Sequence, residues 1–121
     1  MIKMNKELMN HWGSLLQPIF PNGTEFEVAP IESYFQAKAS WKTGTEPDRP
    51  NKMSKTILIT VPEEIADDYA NKNDAQRQSD DIRLCEFVKS NLANHDPDHN
   101  NPRDVPPPVV EWIAGSNVLN S

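Results

Sequence analysis

A single cysteine, Cys85, stands among the 121 residues, so the chain has neither an internal disulfide nor a cysteine-based zinc site. That usage suits a reducing cytosol. Long apolar runs are missing too. None approaches the ~18 residues a membrane span needs, which argues against any membrane role. The opening residues, Met1 to Glu7, lack the apolar stretch of a secretory signal, so a cytoplasmic location is expected. Glycine is scarce, with 4 residues, and no glycine-rich phosphate loop, His-Glu-x-x-His run or Ser-His-Asp order is present. Paired carboxylates occur at Asp67-Asp68 and Asp80-Asp81, but sequence neighbours on a helix point about 100° apart and do not share a proton. No catalytic residue and no cofactor site is therefore assigned, and the protein is expected not to be an enzyme.

Positive charge is also in short supply, and unevenly so. Residues 1–62 balance to +1, whereas residues 63–121 carry −7, so the whole net charge of −6 lies after Pro62. A phosphate-binding surface needs clustered Lys and Arg, so nucleic acid is not the expected partner. An acidic helical half either keeps the chain in solution or meets a basic partner.

What the chain has in quantity is proline (11) and asparagine (12), with 36% apolar residues and a mean hydropathy of −0.70. Much irregular backbone follows. Leu8, Met9, Trp12, Leu15 and Leu16 recur at helical spacing and predict a first helix over residues 4–16, weakened at Gly13 and stopped by Pro18. Phe26 and Val28 alternate with Glu25 and Glu27, and Phe35, Ala37, Ala39 and Trp41 with Gln36, Lys38, Ser40 and Lys42, as in two half-buried strands. A short link around Pro30–Ser33 favours a hairpin. Lys38 and Lys42 are expected to pair across it with Glu25 and Glu27.

Ile57, Ile59 and Val61 mark the inner face of a third strand, 55–61. Pro62 and an acidic first turn open a short helix ending near Asn71. Ser79 is the expected cap of the main helix, with Ile82, Cys85, Val88 and Leu92 as its apolar stripe, widened by Leu84 and Phe87. A last strand follows over Val109, Val110, Trp112 and Ile113. The chain thus reads as one α+β domain over residues 1–121, in the order α-β-β-β-α-α-β. An antiparallel sheet of three to four strands carries its helices on one face. Loops 43–54 and 94–108 are expected to be mobile, and residues 115–121 to form a polar tail.

His95, Asp96, Asp98 and His99 are the only candidate metal ligands. Imidazole and carboxylate suit a divalent ion, but Pro97 breaks the helix that would align the two rings, so no metal is assigned. Cys85 on an apolar stripe reads as a small buried hydrophobe. His11 reads as a helix-surface residue. The candidate partner-binding residues are Asp67, Asp68, Asp80, Asp81 and Trp112. The aspartates offer charge to a basic surface, and tryptophan is favoured at interface hot spots.

The strand Lys55-Thr56-Ile57-Leu58-Ile59-Thr60-Val61, then Pro62-Glu63-Glu64-Ile65, a polar turn and a second helix through Leu92, resembles the ribbon-helix-helix regulators. That resemblance spans about a third of the chain. It implies a dimer made through the strand, with Thr56, Leu58 and Thr60 reading a DNA major groove. The acidic helices favour a different expectation: a small accessory protein that binds another protein or its own copy. A third reading, a small-ligand domain, would need a concave site lined by residues such as Tyr34, Trp41 and Tyr69.

Overall fold

In α1 (Lys6–Leu16) one helical face sends Trp12, Gly13 and Leu16 into the interior while His11 and Ser14 stay exposed. A computed structural model describes residues 6–29, 34–44 and 47–119. The expected link at Pro30–Ser33 lies outside the described residues, as do residues 4–5, 45–46 and 120–121. A 3-10 turn, Gln17–Ile19, with proline in its first positions, ends the helix. Gly23, at a φ of +83°, then supplies the left-handed residue of the turn into β1.

Strands β1 (Glu25–Val28), β2 (Phe35–Ser40) and β3 (Thr56–Val61) form an antiparallel meander, and β4 (Val109–Ile113) joins the far side of β3. The order in the sheet is β1-β2-β3-β4. Register follows the period-two pattern: Phe26 sits opposite Ala39, Ala39 opposite Ile57, and Ile57 opposite Val110. One face therefore collects Phe26, Val28, Phe35, Ala37, Ala39, Ile57, Ile59, Val61, Val110 and Trp112. Six of these, from β2 and β3, are buried. Glu27 is directly opposite Lys38, whereas Glu25 faces Ser40.

The sheet is mixed, which corrects the all-antiparallel expectation. β3 and β4 run parallel, with Thr56 opposite Val109 and Thr60 opposite Ile113. The reason is the excursion between them. α2 (Glu63–Ala70) and α3 (Asp74–Ala93) lie between the two strands, and the 20 residues of α3 alone cover about 30 Å. Residues 94–108 then carry the chain back to the start of β3, a crossover that yields a parallel neighbour. With β2 on one side and β4 on the other, β3 has no free edge for a twin strand. The ribbon of the ribbon-helix-helix resemblance is thus an internal strand.

Three further features differ from expectation. The main helix starts at Asp74, five residues before Ser79, because Asn73 and Gln76 form a capping box. The Asn73 side chain accepts from the Gln76 amide at 2.9 Å, and the Gln76 side chain accepts from the Asn73 amide at 3.1 Å. The helix buries Asp80, Leu84 and Val88, and Ile82 is 55% exposed, so Ile82 is not part of its inner stripe. The expected tail contains α4 (Ser116–Leu119), which buries Val118 and Leu119.

The two proline-containing loops meet each other. Lys52, buried in the first, donates through Nζ to Asp98 Oδ1 at 3.0 Å and to the His99 carbonyl. Arg49 donates to the Asn101 carbonyl at 3.0 Å, and Arg103 to that of Asp48.

Candidate interaction surface

Burial of α2, α3 and α1 against one another brings the acidic pair of α3 inward, not outward. Asp80 is 2% exposed and sits 2.6 Å from Lys72 Nζ, with Arg83 at 4.0 Å one turn on. Lys72 also donates to the Leu119 carbonyl at 2.8 Å, tying α4 to the start of α3. An unpaired carboxylate this deep would be expensive, so the lysine beside it is a condition of its burial.

Asp81 accepts three hydrogen bonds. Its Oδ1 receives Tyr69 Oη at 2.8 Å and Trp12 Nε1 at 3.2 Å, and its Oδ2 lies 2.7 Å from His11 Nε2. Burial, then Asp81 beside it, raises the Tyr69 phenol well above its usual range. Trp12 also meets Tyr69 and Phe35 ring to ring, at centroid distances of 4.8 and 5.3 Å. Of the four expected aspartates, Asp68 is exposed and Asp67 partly so, while Asp80 and Asp81 are engaged within the fold.

An open cleft of about 370 Å³ lies beside this hub, lined by residues that include Glu7, His11, Tyr69, Arg77 and Asp81. Tyr69 is there, but Tyr34 and Trp41 do not line it. Trp41 lies instead against Phe20 and His95, with ring centroids at 6.1 and 6.3 Å. The three aromatics of the small-ligand expectation are not brought together.

The His-Asp cluster is likewise dispersed. Asp96 accepts from the Asp98 amide at 3.0 Å, and Asp98 is paired with Lys52. Buried His99 uses both ring nitrogens: Nε2 donates to the Met53 carbonyl at 3.0 Å, and Nδ1 accepts from the Asn101 amide at 3.1 Å. His95 lies between Trp41 and Trp112, edge-on to both, with its Nε2 buried and without a hydrogen-bond partner. Burial, and then the nearby Lys55 charge, lower its pKa against an opposing pull from Asp96. Among the described residues no three or more metal-ligating side chains converge. Burial likewise pushes up the Cys85 thiol, with Lys89 pulling the other way.

Trp112 belongs to the inner face of β4, beside His95, and is half-buried. The residues that β4 presents outward are its neighbours, Val109, Glu111 and Ile113. Val109 is 59% exposed and Ile113 53%. They share the sheet's open face with Lys38, Thr56, Leu58 and Thr60, and Leu58 lies directly opposite Glu111. The buried side chains of α1, α2, α3 and α4 join the inner face of the sheet in one core. The Thr60 hydroxyl donates to Glu111 Oε2 at 2.9 Å and holds that carboxylate on the open face. The alternation of Val109, Glu111 and Ile113 about Trp112 was the available signal, masked because all but one residue of Val-Val-Glu-Trp-Ile is apolar. Compared with known proteins, the sequence matches no family model, no curated protein and no solved structure.

Proposed function

We propose that this chain works by binding another protein, with no catalysis of its own, through the open face of its sheet and the exposed strand β4. One observation carries the reading: two large β-branched side chains on an outer strand, Val109 and Ile113, are each more than half exposed. Aliphatic residues at that exposure beside a row of outward backbone groups favour association. The saturation of Asp81 by Tyr69, Trp12 and His11 supports a structural role for the His11–Asp81 pair beside the cleft. Self-association through the same strand is the second reading, favoured by the same exposed edge.

The test combines solution mass with capture. The chain is measured by light scattering across a concentration series, then used as bait beside a V109K/I113K variant. A captured protein, or a dimer, that is lost with the double substitution supports the reading. A strict monomer that captures nothing, or capture that the substitutions leave unchanged, overturns it.

A further inference from the structure

Resting on that binding reading, we propose that the outer edge of β4 takes up an extended segment of a different protein, alternating apolar, cationic and apolar residues. The segment becomes a fifth strand beside the present four. The backbone sets up this edge. The Thr56 amide donates to the Pro108 carbonyl, and the Ala114 amide to the Thr60 carbonyl, each at 2.8 Å. In a parallel ladder alternate residues serve the same neighbour. Pro108, Val110, Trp112 and Ala114 therefore turn toward β3, and Val109, Glu111 and Ile113 turn their N–H and C=O groups outward. These are the residues whose side chains stand on the open face.

Charge decides against a second copy. Antiparallel pairing of β4 with itself, in the register that matches all three outward residues, sets Glu111 opposite the Glu111 of the other copy. The two Cβ atoms would then lie about 5 Å apart. Sliding one step upstream brings in Pro107, which has no N–H to give. Sliding downstream sets each glutamate against Ile113 and loses one of the three pairs. The sheet's other outer strand, β1, offers Glu25 and Glu27 on the same open face, so a β4–β1 contact between copies again places carboxylates side by side. The chain's net charge of −6 adds to that repulsion. A lysine or arginine opposite Glu111, flanked by aliphatic side chains against Val109 and Ile113, satisfies all three positions. Pro107 and Pro108 confine the edge to that short stretch.

The experiment uses the full chain, isotope-labelled, and two synthetic peptides. Both have the core Val-Thr-X-Thr-Val with serine flanks, X being lysine in one and glutamate in the other. The expected result at low salt is that the lysine peptide binds about fivefold tighter. It also shifts the amide resonances of Val109, Glu111 and Ile113 and slows their hydrogen exchange. In Glu111→Lys, confirmed as folded by its thermal melt, the order of the two peptides reverses. Three results would overturn the inference: β4 amides unmoved by either peptide, an unchanged order in Glu111→Lys, or β4 protected by a concentration-dependent dimer. Peptide binding mapped elsewhere, or the dimer, sinks this inference alone, because the bait experiment above still tests association independently.

Discussion

Replacing Asp81 by Ala should unfold this protein more readily than any loss of surface charge would. The side chain is the shared acceptor of Trp12 Nε1, Tyr69 Oη and His11 Nε2. Removing it orphans two part-buried donors, and each such orphan costs about 1–3 kcal/mol. A loss of about 3 kcal/mol is therefore expected. His11 is different, because its side chain is 47% exposed and its bond to Asp81 is a surface contact. His11→Ala should cost less than about 1 kcal/mol. Asp81→Asn keeps one oxygen for the indole and the phenol, so it should fall between the two. Urea unfolding followed by tryptophan fluorescence reads all three as midpoint shifts at constant slope. A double-mutant cycle with Tyr69→Phe should return a coupling of at least about 0.5 kcal/mol. If Asp81→Ala costs no more than His11→Ala, the hub is not structural, and Asp81 returns to the list of carboxylates available to a partner.

Two other expectations follow from close contacts. A Cβ added at Gly13 would lie 2.9 Å from Val28 Cγ2, so Gly13→Ala should overpack the α1–β1 contact. Overpacking of about 1–3 kcal/mol outweighs the roughly 1 kcal/mol of helix propensity gained, giving a net loss of about 1 kcal/mol. Thermal melts should show Val28→Ala largely relieving it. His95, its Nε2 without a hydrogen-bond partner and its pKa lowered mainly by burial, takes up its proton at a lower pH in the folded chain than in the unfolded one. Stability relative to His95→Phe should thus be level above pH ~6.5 and fall as the pH drops toward 5. A parallel pH dependence in both proteins would refute that assignment.

The strands were legible because their burial alternates: Phe35 to Ser40 and Thr56 to Val61 keep strict period two, although β2 ends at Ser40, before Trp41 and Lys42, and Lys42 bridges Met53 rather than β1. Two features were not. The start of α3 was hidden because Asp74 to Ser79 is wholly polar save Ala75, and only the Asn73–Gln76 reciprocity announces the helix. The direction of β4 depends on where a 15-residue proline-containing loop delivers the chain, which no local pattern encodes. The burial of the candidate aspartates was misread for a related reason. Asp80 and Asp81 look solvent-seeking until Lys72, Tyr69 and Trp12, each from another helix or its end, supply partners. Trp112 looked like an anchor until the register turned it inward and left Val109 and Ile113 outside.

Because β4 pairs with a strand about fifty residues upstream, its docking is a long-range closure that local hairpins do not need. While the chain emerges and folds, Thr-Ile-Leu-Ile-Thr-Val can zip to β2 early and then wait with its far side bare. For that interval a run rich in β-branched residues is open to strangers, and crowding or a slow proline in residues 94–108 would lengthen it. Seen this way, β4 is also the molecule's own gatekeeper, capping its stickiest strand and offering the world a glutamate in its place.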